Sequence, residues 1–200
     1  MKNTLVSALR NTLLAALCGS LVACTHTPVS HYYVLSAAAD PASQSQRSAP
    51  RIGLGPVTLP EYLDRPQIVT RAAGNRLELS NMHRWAEPLQ ASFVRALLAN
   101  LERELPKADI VVHPWRRSLT IAQQIQIEIT RFDRDADGAF HLSARWRVSK
   151  PGEQDMTATQ RSDIEIPLTA KADDYDALLT AANSAVAALA ARLAAQLQTQ

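Results

Sequence analysis

The strongest chemical signal in the chain is a cysteine behind a short apolar tripeptide, Leu21-Val22-Ala23-Cys24. Ahead of it stand Lys2 and Arg10, the apolar run Leu13-Leu14-Ala15-Ala16-Leu17, and the small residues Gly19 and Ser20. A charged start, a short apolar stretch and small residues at a cut make a secretory signal, and a cysteine next to that cut can accept a thioether-linked diacylglycerol. Cleavage between Ala23 and Cys24 is the expectation, removing residues 1–23 as a lipoprotein signal peptide. An ordinary signal peptide that happens to carry a cysteine is the alternative. A spanning anchor is disfavoured, because the apolar core is about 11 residues where a spanning helix needs about 20. One acyl chain holds a protein to a membrane only marginally, at about 0.8 kcal/mol per buried CH₂, and the three chains of a mature lipoprotein hold it permanently. Thr25, not Asp, follows the cysteine, which in a Gram-negative envelope points to the periplasmic side of the outer membrane.

The other reactive residue types do not converge. His26, His31, His83, His113 and His141 are scattered, and no HExxH or GxSxG occurs. Asp133-Arg134-Asp135-Ala136-Asp137-Gly138 imitates the start of a calcium loop, but Ala144 stands at the twelfth position, where a bidentate Glu belongs. A hairpin turn at Asp137-Gly138 explains the pattern instead. Gly53-Leu54-Gly55 is half of a dinucleotide fingerprint that runs into Pro56 without its third glycine. Cys18 leaves with the signal and Cys24 is acylated, so no thiol remains for disulfide, redox or nucleophilic chemistry. The expectation is a non-enzyme with no metal and no cofactor beyond the covalent lipid on Cys24. The mature 177 residues carry 19 basic and 19 acidic side chains once Lys2 and Arg10 are gone. That balance lacks the clustered positive charge by which proteins hold nucleic acid.

The elements that must position any site can be read from periodicity. Residues 24–31 form a lipidated tether and residues 32–200 a single periplasmic domain, with a mobile, breaker-rich loop at 37–50. Tyr32-Tyr33-Val34-Leu35 has strand composition, and Ile52–Leu59 alternates up to Pro60. Glu61–Pro66 reads as a turn, followed by a hairpin of Gln67–Arg71 and Arg76–Leu79 around Ala73-Gly74-Asn75. Pro88–Leu105 is a helix with Leu89, Phe93, Leu97, Leu101 and Leu105 on one stripe, widened by Val94 and Leu98. Ile110-Val111-Val112 is a short strand. Three runs of period 2 between Leu119 and Ile166 then make an antiparallel meander with one dry and one wet face. The dry face takes Ile125, Ile127, Ile129, Phe140, Leu142, Trp146, Val148, Met156, Ala158 and Ile164. The wet face carries Arg145, Arg147 and Arg161. Asp173–Gln198 is a second helix whose stripe runs from Tyr175 to Leu197, with Asp173, Asp174 and Asp176 at the positive end of its dipole.

One region carries a resemblance. Gly55-Pro56-Val57-Thr58-Leu59-Pro60-Glu61-Tyr62-Leu63-Asp64-Arg65-Pro66-Gln67-Ile68-Val69-Thr70-Arg71, followed by Arg84-Trp85-Ala86-Glu87-Pro88-Leu89, resembles the ABC-type transport auxiliary lipoproteins, the PqiC-like group. The early Tyr32-Tyr33-Val34-Leu35 and the later His113-Pro114-Trp115 extend it. The resemblance implies an outer-membrane lipoprotein that works with an MCE-domain tunnel in lipid transport between two membranes. It offers no catalytic residues to carry over.

The expected fold is α+β: a largely antiparallel sheet of about seven strands with two amphipathic helices packed on one face. The expected role is a lipid-anchored, non-catalytic subunit and a homo-oligomer, bound to the membrane through its lipid and to an MCE-domain tunnel protein. A stand-alone periplasmic lipoprotein that binds a lipid or other apolar ligand is the alternative. The contact surfaces expected are the wet face, with Arg145, Arg147 and Arg161, and the turn bearing Asp64 and Arg65. Plain solvation is the simpler account of the wet face.

Overall fold

A computed structural model describes residues 29–37, 51–150, 158–169, 171 and 173–199. The signal peptide, the lipobox with Cys24, His26, Met156 and residues 38–50 of the expected loop lie outside the described residues.

Eight strands and two α-helices follow one another along the chain. The strands are β1 (His31–Tyr33), β2 (Arg51–Thr58), β3 (Gln67–Arg71), β4 (Leu77–Trp85), β5 (Asp109–Val112), β6 (Gln123–Arg134), β7 (Ala139–Ser149) and β8 (Gln160–Pro167). Helix α1 (Leu89–Glu104) stands between β4 and β5, and α2 (Tyr175–Gln198) closes the chain. A 3-10 turn, Glu61–Leu63, separates β2 from β3.

All the strands join one forked sheet. β8 pairs with β7 and β7 with β6, both antiparallel. The long β6 has two strands on its other edge: β2 along its first half and β3 at its end. β5 lies outside β2, whereas β4 and then β1 lie outside β3. Four of these pairings are parallel (β1 with β4, β2 with β5, β2 with β6, β3 with β6), so the sheet is mixed rather than largely antiparallel. Alternation assigns a residue to a face but does not name its neighbouring strand or that strand's direction.

β2 shows what the parallel pairing does. Ile52, Gly53, Leu54 and Gly55 are all buried in succession, as befits a strand covered on both faces. A Cβ on Gly53 would meet the Trp115 ring at 2.7 Å, and one on Gly55 would meet the His113 Cβ at 2.9 Å. Gly55 also has a φ of 117°, which only glycine adopts without strain. The pair of glycines is therefore a packing device under the segment after β5.

The three-strand meander forms as its alternation predicts. Ile125, Ile127, Ile129, Phe140, Leu142, Ala144, Trp146, Val148 and Ile164 are buried, and the β6–β7 turn lies at Asp135–Gly138. Other expectations need correction. β8 starts only at Gln160, so Ala158 is exposed instead of dry. A register shift between Ile129 and Arg131 brings both Phe132 and Asp133 into buried positions. The strand expected at residues 32–35 covers His31–Tyr33 instead, so His31 belongs to the sheet and not to the tether. The hairpin's second strand runs on to Trp85, well past Leu79.

Both helices put their predicted stripes inward. Leu89, Phe93, Leu97 and Leu101 of α1, and Leu178, Val186, Leu189 and Leu193 of α2, are at most 3% exposed. The helices pack on each other, α1 beside β2 and β5 and α2 beside β7 and β8. The Asp174 side chain caps α2 by accepting from the Ala177 N–H at 2.9 Å, and Asp176 adds negative charge in the first turn. By length and composition α2 could cross a membrane, yet 56% of its most apolar window is buried inside this domain.

Candidate functional site

Alternation in β6, β7 and β8 lifts one row of polar side chains onto the sheet face opposite the buried stripe. Glu128, Arg145 and Arg161 are consecutive cross-strand partners in that row. Arg145 reaches Glu128 at 3.7 Å, with both side chains at least half exposed, so the pair is largely screened by water. Arg161 directly faces Arg145, and like charges placed opposite one another are unfavourable. One strand position along, the Arg147 Nε donates to the Gln126 Oε1 at 2.5 Å. Arg145 and Arg147 line a shallow groove of about 280 Å³ with Gln126, Glu128, Pro56, Thr58 and Thr159. The structure thus gathers the three arginines on one face.

It does not bring Asp64 and Arg65 to them. Those two exposed residues follow the 3-10 turn and line a separate groove of about 320 Å³ with Pro66, Trp85, Ala86, Glu87 and Pro88. Their turn is tied down by backbone bonds from the Asp64 N–H to Glu61 and from the Trp85 N–H to Pro66, 3.0 and 2.7 Å long.

Between the two surfaces lies an ion network that alternation alone does not reveal. The Asp133 side chain is fully buried and accepts from the Arg71 Nη2 at 3.0 Å, the Arg131 Nε at 2.9 Å and the Tyr62 hydroxyl at 3.1 Å. Burial, followed by the nearby Asp133 charge and its hydrogen bond, pushes the Tyr62 phenol up to about 12. In the turn, Asp135 accepts from the Ala139 N–H at 3.0 Å and lies 2.5 Å from the His141 Nε2. Burial alone would raise the Asp135 carboxyl; the Ala139 N–H, His141 and Arg131 outweigh it and hold it low. These contacts explain the Asp133–Asp137 motif as a hairpin turn with a buried ion pair. Among the described residues, no group of three or more His, Cys, Asp or Glu side chains is arranged around a point where a metal could sit.

Two further features carry only weak signals in the sequence. His83 stacks on Tyr175 with ring centroids 3.8 Å apart and on His31 at 5.2 Å, and its Nδ1 lies 2.9 Å from the Tyr33 hydroxyl. Burial, followed by the charge of His31, lowers the His83 pKa, and Asp176 offsets this in part. An apolar cleft of about 640 Å³ opens where both helices end, lined by Ile52, Leu105, Pro106, Ala108 and Leu197, with Lys107 and Lys150 also in its wall. Residues as far apart in sequence as Ile52 and Leu197 build it, so no local pattern marks it.

Comparison with known proteins places this arrangement among relatives. The profile of a family described as ABC-type transport auxiliary lipoprotein component matches residues 33–194. Intermembrane transport lipoprotein PqiC from Escherichia coli (strain K12) and its counterpart from Shigella flexneri are each 29% identical over 98 residues. That stretch is 48% of this chain and 50% of theirs, so the chain spans about half the length of the curated relatives it matches. Two solved structures share the fold. A crystal structure of an uncharacterized protein has a TM-score of 0.69 at 21% identity, over 85% of this chain and 99% of that one. Protein XCC0632 from Xanthomonas campestris has a TM-score of 0.67 at 15% identity, over 82% and 93%.

Proposed function

The chain belongs to the ABC-type transport auxiliary lipoprotein component family, and from that premise we propose that it is the lipid-anchored, non-catalytic subunit of an MCE-type intermembrane lipid transporter. In this reading Cys24 carries the lipid, the domain sits on the periplasmic side of the outer membrane, and the assembly contributes to envelope integrity. The observation that carries the reading is the extent of the family match, which runs from β1 almost to the end of α2. The name of the PqiC relatives, intermembrane transport lipoprotein, supports the transport role, and the Leu21-Val22-Ala23-Cys24 motif supports the anchor.

The outward polar face of the sheet supports a docking role for such a subunit. Both helices cover the same side of the sheet, so among the described residues no layer covers the arginine row. Arg145 and Arg161 are exposed, and Glu128, Asp163 and Glu165 stand exposed on the same face, so the row offers charges of both signs to a complementary partner surface. Several copies arranged in a ring would repeat each weak contact around the mouth of a tunnel.

The cleft at the helix ends favours a second reading, a stand-alone binder of a lipid or other apolar ligand, because its walls are mainly apolar and its volume suits a small ligand. Crosslinking in intact cells, with photoreactive residues in place of Arg161 and of Asp64, separates the two. Adducts to a second copy and to a tunnel subunit are expected from the transport subunit. Recovery of neither, together with lipid co-purifying with the monomer, would overturn it in favour of the binder.

A further inference from the structure

Four large hydrophobic side chains are strongly exposed among the described residues, and three of them lie between residues 29 and 34: Val29 at 74%, Tyr32 at 64% and Val34 at 48%. Scattered singly, such residues need no explanation, but a cluster beside one particular surface does. In and just after β1, Tyr33 and Leu35 turn inward: Leu35 is 1% exposed and Tyr33 packs against the core. Tyr32 in β1 and Val34 just beyond it therefore share the outward side, and Val29 stands exposed ahead of the strand. β1 pairs only with β4, so no further strand among the described residues covers its other edge.

The strip is held rigidly. The Ala86 N–H donates to the Tyr33 carbonyl at 2.8 Å, and the Leu35 N–H donates to the Ser92 Oγ of α1 at 2.8 Å. The Ser36 N–H donates to the Asn183 Oδ1 of α2 at 3.0 Å, and the Asn183 Nδ2 returns a bond to the Ser36 Oγ at 3.1 Å. Whatever Tyr32 and Val34 touch is thereby coupled to both helices.

We propose that Val29, Tyr32 and Val34 form a bilayer-contacting strip that orients the domain on the membrane carrying its lipid. This rests on the reading that Cys24 is lipid-anchored. Four residues lie between Cys24 and Val29, and the five spacings of a fully extended chain reach about 18 Å at most. That reach is short enough to bring the strip onto the headgroup layer, itself about 5–8 Å deep on each side of the hydrocarbon. Tyrosine suits that layer, where its ring meets acyl chains and its hydroxyl meets water. The five strand spacings from β1 to β8, at about 4.8 Å each, give roughly 24 Å of separation between the strip and Arg161. Contact at the strip turns the arginine row away from the lipid and toward a periplasmic partner.

The test uses a benzophenone amino acid in place of Tyr32, with the same residue in place of Arg161 as the control. Both positions are exposed, so neither change removes core packing. The mature protein is placed on phosphatidylethanolamine–phosphatidylglycerol vesicles and irradiated, and adducts are identified by mass. About tenfold more lipid adduct is expected at position 32 than at 161, because only a residue at the acyl boundary meets lipid C–H bonds continually. Equal yields at the two positions would overturn the proposal, and so would adducts at 32 to a second copy or another protein in place of lipid. The intact mass of the N-terminal peptide reports acylation separately. Protein found unacylated sinks the anchor reading; its Cys24 thiol is then coupled to a maleimide lipid, and the same comparison still decides the strip.

Discussion

Asp133 shows how a single carboxylate on the polar side of a sheet joins the interior: a register shift in β6 turns it under Tyr62, and two arginines neutralise it. Its sequence neighbours read as a turn, and nothing local to them identifies Arg71 or Tyr62 as partners, since Arg71 ends β3 and Tyr62 sits in the 3-10 turn before it. Trp146 was legible, because it shares parity with Phe140, Leu142 and Val148, and all four are buried. Its indole N–H donates to the Ser162 Oγ at 3.0 Å. Trp146→Ala is expected to lower the unfolding free energy by about 3–5 kcal/mol, as truncation of a buried Trp does. Urea titration checks this, and a loss below about 1 kcal/mol would show that the ring is not core. His83 makes a pH prediction. Its folded pKa lies below the ordinary 6.5, so the unfolded chain takes up the proton more readily. The stability it contributes is fully present above that value and is lost as pH falls through it toward the folded pKa. His83→Phe keeps a ring on Tyr175 and removes the titration. The wild type should lose more stability than this variant between pH 7 and about 5, and parallel curves would sink the assignment.

At the scale of elements, Arg145 on β7 and Arg161 on β8 stand directly opposite each other. Arg161→Glu would turn a repulsive cross-strand pair into an attractive one, and the isolated domain is expected to gain about 0.2–1 kcal/mol. With the photoreactive residue at position 64, the same variant should lose the crosslink to a partner. A denaturant midpoint that falls or stays still would argue that the arginines do not feel each other. The helices were legible to within a residue or two, because their stripes repeat over four turns or more and α1 is bracketed by Pro88 and Pro106. Ser92 and Asn100, buried on α1, were not. Ser92 receives the Leu35 N–H from far along the chain, and the Asn100 Nδ2 donates to the Ala96 carbonyl of its own helix. Polar residues on a buried face become readable only when their partners are known.

For the whole molecule, the proposed anchor and the domain divide the work. Cys24→Ala is expected to leave an unacylated protein in the soluble periplasmic fraction with its fold intact, since Cys24 precedes every strand and helix described. Persistent sedimentation of that variant with the outer membrane at high salt would show that something other than the lipid holds it there. Loss of the far-UV spectrum would show instead that the segment before β1 belongs to the fold.

The sequence by itself determined what is local or periodic: the lipobox spacing, both helical stripes, the dry and wet faces of the meander and the Asp137-Gly138 turn. It also carried the family, through the contiguous run from Gly55 to Arg71. The tertiary structure alone decided the strand order and the four parallel pairings, because hydrogen-bonded neighbours from distant segments leave no period in the chain. It alone placed Arg161 against Arg145, buried Asp133 and opened the cleft between Ile52 and Leu197. Periodicity records which side of an element meets water, whereas register, charge pairing and cavities depend on which elements meet each other.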